Sequence, residues 1–97
     1  MTIDFQYVNF KADQKLLSYI TKKLSKMDTF YDRIIDSVVY LKVENSEKKE
    51  NKTIEIKLNV ANQTLFVAET NVTFESAIDI AMEKLKAQLV KYKGKIS

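Results

Sequence analysis

Thr53-Ile54-Glu55-Ile56-Lys57-Leu58-Asn59-Val60 sets four aliphatic side chains at every second position with polar residues between them. A strand turns successive side chains to opposite faces, so this stretch predicts a strand with one buried and one wet face. Ala61-Asn62-Gln63 turns the chain back, and Thr64-Leu65-Phe66-Val67-Ala68-Glu69-Thr70 predicts its neighbour. On the other side, Glu44-Asn45-Ser46-Glu47-Lys48-Lys49-Glu50-Asn51-Lys52 holds no apolar residue and is expected to be a solvated, mobile hairpin loop. Residues 34–44, rich in β-branched and aromatic side chains, predict the strand that leads into it. Three consecutive strands result.

Outside them the period changes from two to that of a helix. Leu16, Leu17, Ile20, Leu24 and Met27 recur at helical spacing behind Asp13, whose carboxylate suits an N-cap, and predict a helix over 14–27. Asp28-Thr29-Phe30-Tyr31-Asp32-Arg33 breaks that period and is expected to turn. Thr73 is an equivalent N-cap for a second helix, with Phe74, Ile78, Met82, Leu85, Leu89 and Tyr92 on one face, running to about Tyr92 or beyond. At the start of the chain, Ile3, Phe5 and Tyr7 alternate with Asp4 and Gln6 and predict a strand from Thr2 to Val8. The order β-α-β-β-β-α predicts an α+β two-layer sandwich, a four-stranded sheet with both helices on one face. Residues 1–97 are read as a single domain without repeat, linker or proline, and Gly94, the only glycine, stands where a terminal helix could fray or stop.

At 97 residues one hydrophobic core is expected, and 45% hydrophobic with 30% charged residues is not the composition of a disordered chain. No apolar run approaches the ~20 residues of a membrane span, and the N-terminus does not build a signal-peptide apolar region, so a cytosolic protein is expected. Cysteine and histidine are both absent, which removes disulfides, thiolate chemistry, imidazole ligands and the commonest general base. The best remaining acid-base or cation-binding pair is Asp79 and Glu83, one helical turn apart, where surface solvation is the commoner role. One glycine leaves no phosphate-cradling loop. The chain is read as a binder that needs no cofactor, metal or small-molecule substrate.

The formal net charge is +3, with an isoelectric point near 9.0, and its distribution matters more than its size. Lys84, Gln88, Lys91 and Lys95 form one stripe on the second helix, with Lys86 and Lys93 in a flanking row. Lys15, Lys22 and Lys26 form a row on the first helix, with Lys23 adjacent, and no carboxylate lies between Asp13 and Asp28. Ammonium groups on flexible stems can follow a phosphate backbone without fixed bidentate geometry, which predicts salt-sensitive, shape-directed binding to nucleic acid. Solvation of two amphipathic helices explains the same pattern equally well. Phe5, Tyr7, Tyr19, Phe30, Tyr40, Phe66, Phe74 and Tyr92 mostly stand where a core or its border needs them. Tyr31 and Arg33, in the turn, are either contacts to a base or phosphate or uninvolved exposed residues.

Leu16-Leu17-Ser18-Tyr19-Ile20-Thr21-Lys22-Lys23-Leu24-Ser25-Lys26-Met27, followed by Tyr31-Asp32, resembles the first helix and turn of the ribosome hibernation promoting factors. Ala77-Ile78-Asp79, Lys84-Leu85, Gln88-Leu89 and Lys91-Tyr92-Lys93 resemble that family's final helix. The likeness covers essentially the whole chain, and the family is also known as sigma-54 modulation proteins or ribosome-associated inhibitors. It implies a fold similar to the double-stranded-RNA-binding domain. It also implies a bacterial, cytoplasmic, stationary-phase factor that occupies the decoding region of the small ribosomal subunit and catalyses nothing. Its partner would be ribosomal RNA. The family's basic positions match Lys22, Lys23 and Lys26 in the first helix and Lys84, Lys86, Lys91 and Lys93 in the second. Ala87 and Val90 stand where the family often carries charge, which lowers the expected electrostatic contribution. With the sequence ending at Ser97, the short form is expected, with weak self-association as a further option. The alternative is a protein-interaction module acting on the transcription machinery without ribosome binding.

Overall fold

The structure, a computed structural model, describes residues 1–45 and 47–96, with Lys95 and Ile96 described by their backbone only. The elements follow the expected order: β1 (Thr2–Val8), α1 (Gln14–Phe30), β2 (Ile34–Val43), β3 (Lys52–Val60), β4 (Gln63–Asn71) and α2 (Phe74–Ile96). The strands form one sheet in the order β1-β2-β3-β4. β2, β3 and β4 are an antiparallel meander, while β1 joins β2 in parallel, as the α1 crossover between them requires. Register carries the alternation read from sequence across all four strands. Phe5, Val39, Ile56 and Val67 lie in one row, with Ile3, Ser37, Leu58 and Leu65 in the next.

These rows meet the apolar stripes of the helices. Ile20, Leu24 and Met27 of α1 and Ile78, Leu85 and Leu89 of α2 are buried in one cluster with Val39, Leu41, Ile54, Ile56 and Leu58. Fully burying a side chain of this size is worth about 1.5–3 kcal/mol, so this face decides which way the sheet points. The cluster admits one unpaired polar atom from the sheet, the Oγ of Ser37, which is buried without a hydrogen-bond partner.

Both predicted caps are in place. Asp13 Oδ1 accepts from the Leu16 amide at 2.8 Å, and Thr73 Oγ1 accepts from the Ser76 amide at 3.0 Å, each satisfying a donor of the first turn. The end of α1 corrects the sequence reading. Asp28, Thr29 and Phe30 continue the helix instead of breaking it, because Phe30 packs against the core and the Thr29 hydroxyl bonds the Lys26 carbonyl at 2.7 Å. The helix closes only at Tyr31, whose extended backbone still donates its amide to the Met27 carbonyl at 2.8 Å. Tyr31 is accordingly no exposed turn residue but is 8% exposed, set edge-on to Tyr92 with ring centroids 5.8 Å apart.

The hairpin loop is shorter than expected. Lys52 belongs to β3 and pairs with Val43, and the Glu44 amide bonds the Asn51 carbonyl at 2.7 Å. The part of that expectation that falls on Ser46 lies outside the described residues. At the β3–β4 turn Asn62 has φ 66°, the left-handed region that asparagine tolerates better than most residues.

The face of the sheet away from the helices is open and carries Tyr40, Lys57 and Phe66 among its residues, with Phe66 45% exposed. Phe66, and Tyr7 on the edge strand, are thus two of the aromatics that lie outside the buried core, where sequence placed most of them in a core or at its border. No helix among the described residues is long and apolar enough to cross a membrane.

Candidate nucleic-acid interface

Two sets of contacts show how α1 and α2 lie together. Near their starts, the Tyr19 hydroxyl donates to Asp79 Oδ1 at 2.9 Å, and Lys23 Nζ lies 3.5 Å from the same oxygen. Farther along, the ammoniums of Lys86 and Lys93 stand 5.4 and 4.7 Å from the centroid of the Phe30 ring. Both sets advance in the same direction along the two helices, so α1 and α2 run parallel, side by side over the sheet.

At 3.6 residues per turn, positions seven apart are almost superimposed along a helix. On α1 this places Lys26 close to the line of Tyr19, Lys23 and Phe30, with Lys22 roughly 60° around. On α2 it places Lys86 and Lys93 on the line of Asp79. Lys22, Lys23, Lys26, Lys86 and Lys93 therefore border one interhelical crest.

Their local chemistry differs. Lys22 and Lys26 are exposed and make no ion pair among the described residues. Lys23 is shared between Asp79 and the ring of Tyr19, 5.4 Å from its centroid. Lys93 donates to the Phe30 carbonyl at 3.1 Å, supplying positive charge where the α1 dipole leaves unpaired, partly negative carbonyls. The hydrogen bond to Asp79, followed by desolvation, raises the Tyr19 hydroxyl above its ordinary pKa of 10.0.

Asp79 is thus a clasp between helices, a role beside both the acid-base or cation-binding pair with Glu83 and the commoner surface solvation that sequence offers for it. No group of three or more potential acidic, histidine or cysteine ligands is placed to hold a metal among the described residues.

Lys84 and Lys91 fall elsewhere, on the flank of α2 that faces β4. Lys84 pairs with Glu69, the Gln88 amide donates to the Phe66 carbonyl at 2.9 Å, and Lys91 borders a shallow cleft of about 130 Å³ beside Gln63 and Leu65. The stripe read through Lys84, Gln88 and Lys91 is therefore a real row; the side chain of Lys95, its fourth member, lies outside the described residues. The seven candidate lysines divide into five on the crest and two on the flank.

Sequence reasoning missed Phe30, which seats two of the crest lysines. The spacing Tyr19, Lys23, Lys26, Phe30 would have found it had the helix been carried past Asp28. Arg33 lines a cleft of about 580 Å³ with Asp28, Asp32 and Lys93, a mixed-charge setting beside the crest. Ala87 and Val90 are both exposed, so the charge missing at these positions is missing from the surface.

Residues 3–97 match the family described as Sigma 54 modulation protein / S30EA ribosomal protein. A Ribosome hibernation promotion factor of Deinococcus radiodurans is 31% identical over 86 residues, covering 88% of this chain and 45% of the relative. The protein of that name from Staphylococcus aureus is 28% identical over 89 residues, covering 92% and 46%. The chain thus spans about half the length of the curated relatives it matches. Among solved structures, a ribosomal subunit interface protein from Coxiella burnetii superposes with a TM-score of 0.86 at 21% identity, covering 97% of this chain and 99% of that one. The N-terminal domain of Thermus thermophilus Protein Y gives 0.82 at 23% identity, covering 95% and 99%. Both share the fold.

Proposed function

The chain belongs to the Sigma 54 modulation protein / S30EA ribosomal protein family, and from that premise we propose that it is a non-catalytic hibernation factor that binds the small ribosomal subunit near its decoding region. The observation that carries the reading is the crest. Five lysines border one strip, three from α1 and two from α2, helices that lie far apart in the sequence and run parallel in the fold. Such a strip can follow a phosphate backbone with little demand on base sequence.

In this reading Lys22, Lys23, Lys26, Lys86 and Lys93 lie along ribosomal RNA, and Lys84 and Lys91 add charge from the flank. Lys22 and Lys26 give up no internal ion pair on binding, so they carry the largest share. The setting is the bacterial cytoplasm under stress or in stationary phase, where ribosomes stand idle. Weak self-association is the remaining partner of the reading. The transcription alternative would use a protein contact instead.

The test is co-sedimentation with purified small ribosomal subunits across a salt series, with a Lys22→Glu, Lys26→Glu double variant alongside. Stoichiometric binding that weakens steeply with salt and is lost in the variant is the expected result. Absence of binding by the unaltered chain at low salt would overturn the proposal. Salt-tolerant capture of a protein component, indifferent to the variant, would favour the transcription reading.

A further inference from the structure

The two edges of the sheet are finished differently. At β4 the Gln88 side chain occupies the outward-facing carbonyl of Phe66, and the Lys84–Glu69 pair stands beside it, so α2 screens that edge. At β1 no strand pairs with the outer side among the described residues. The strand Thr2-Ile3-Asp4-Phe5-Gln6-Tyr7-Val8 also lacks the usual protections of an edge. It has no proline, no lysine and no glycine, its pairing with β2 runs without a bulge, and only Asp4 carries charge.

Pairing this strand with itself gives a consistent register. In an antiparallel pair about a two-fold axis, full overlap of seven residues centres on Phe5. Phe5 then meets Phe5 of a second copy, and Ile3 meets Tyr7, all on the face that carries the core. On the opposite face Asp4 meets Gln6, so no like charges are opposed. Tyr7, 39% exposed, and the half-buried Ile3 and Phe5 would lose further surface to water.

We infer that the outer edge of β1 is a self-recognition surface, through which a second copy of this chain extends the sheet to eight strands. The inference gives the self-association proposed above its surface, and it is independent of ribosome binding because no ribosome enters its test. Since the two-fold axis stands perpendicular to a continuous sheet, both helical layers lie on the same side. The pair would present two basic crests in one direction. One strand edge with few large side chains makes the association weak.

The register supplies the experiment. Gln6→Asp sets a carboxylate against Asp4 of the other copy twice in each dimer, and Gln6→Lys sets an ammonium there twice. Both changes fall on an exposed position, so the monomer fold tolerates either. Sedimentation equilibrium of the 97-residue chain over roughly 10 µM to 1 mM should show a monomer–dimer equilibrium. It should be tightest for Gln6→Lys and weakest for Gln6→Asp, with dissociation constants about tenfold apart. Amide exchange should slow with concentration at alternate residues of β1 and at no residue of β4. A chain that stays monomeric throughout, including Gln6→Lys, overturns the inference. So does a dimer that responds equally to both substitutions or protects β4.

Discussion

Lys86 and Lys93 stand seven residues apart on α2, and so do Lys84 and Lys91, yet the two pairs do different things. The first pair rests on the Phe30 ring, and Lys93 also closes the end of α1 through its carbonyl. The second faces the sheet edge, where Lys84 neutralises Glu69. Equal spacing and equal charge are therefore not equal function. The neighbour each lysine meets across the fold decides whether its charge is directed outward, spent on another helix or spent on a strand.

The widest separation between crest and flank should appear in ribosome binding. Lys22→Glu with Lys26→Glu changes the net charge by the same amount as Lys84→Glu with Lys91→Glu, so bulk charge cancels from the comparison. In a filter-binding or co-sedimentation assay, the crest pair is expected to weaken binding about a hundredfold and the flank pair less than tenfold. Each lost phosphate contact should lower the salt slope by roughly 0.7–0.9. Equal losses would collapse the distinction.

Stability should separate the same two rows on a smaller scale. Lys93→Met removes a charge-assisted bond to an otherwise unpaired helix carbonyl and is expected to cost about 1 kcal/mol in urea unfolding. Lys91→Met, with no such bond, should stay within about 0.5 kcal/mol.

A third test concerns the clasp at the start of the crest. The protonated Tyr19 hydroxyl is the form that donates to Asp79, so its contribution is present below pH 10.0 and is lost as pH rises through the raised folded pKa. Asp79→Asn should bring Tyr19 back toward 10.0 in a spectroscopic titration. Tyr31, raised first by burial and then by Tyr92, should stay where it is. A simultaneous fall of both would mean that the helices had separated. A similarly small effect is expected of Lys84→Met, whose pair with Glu69 is solvent-screened at the lysine; thermal unfolding should change by no more than about 0.5 kcal/mol.

Much of this architecture is legible in the chain itself. Alternation at Ile54, Ile56, Leu58 and Val60 placed β3, and Asp13 and Thr73 marked two helix starts, because patterning and capping are local signals. The end of α1 was not legible. Asp28 and Thr29 are weak helix formers by themselves, and what holds them is the packing of Phe30 and Tyr31 against partners more than 60 residues away. For the same reason sequence showed that α2 carries two lysine rows but not which neighbour each would meet. The resemblance supplied the list of lysines, and the fold divides it.

The parallel pairing of β1 with β2 has a consequence for how the molecule assembles. β2, β3 and β4 pair through hairpins, whereas Phe5 reaches Val39 only after the whole of α1 has been laid across. Closing that long segment carries an entropic cost that the hairpins avoid, so the meander is expected to form first and β1 to arrive last. Until it arrives, the waiting side of β2 offers Val39 and Leu41 to any extended chain. The strand that completes the sheet therefore also acts as its chaperone, shielding a sticky intermediate by occupying the place another molecule would take.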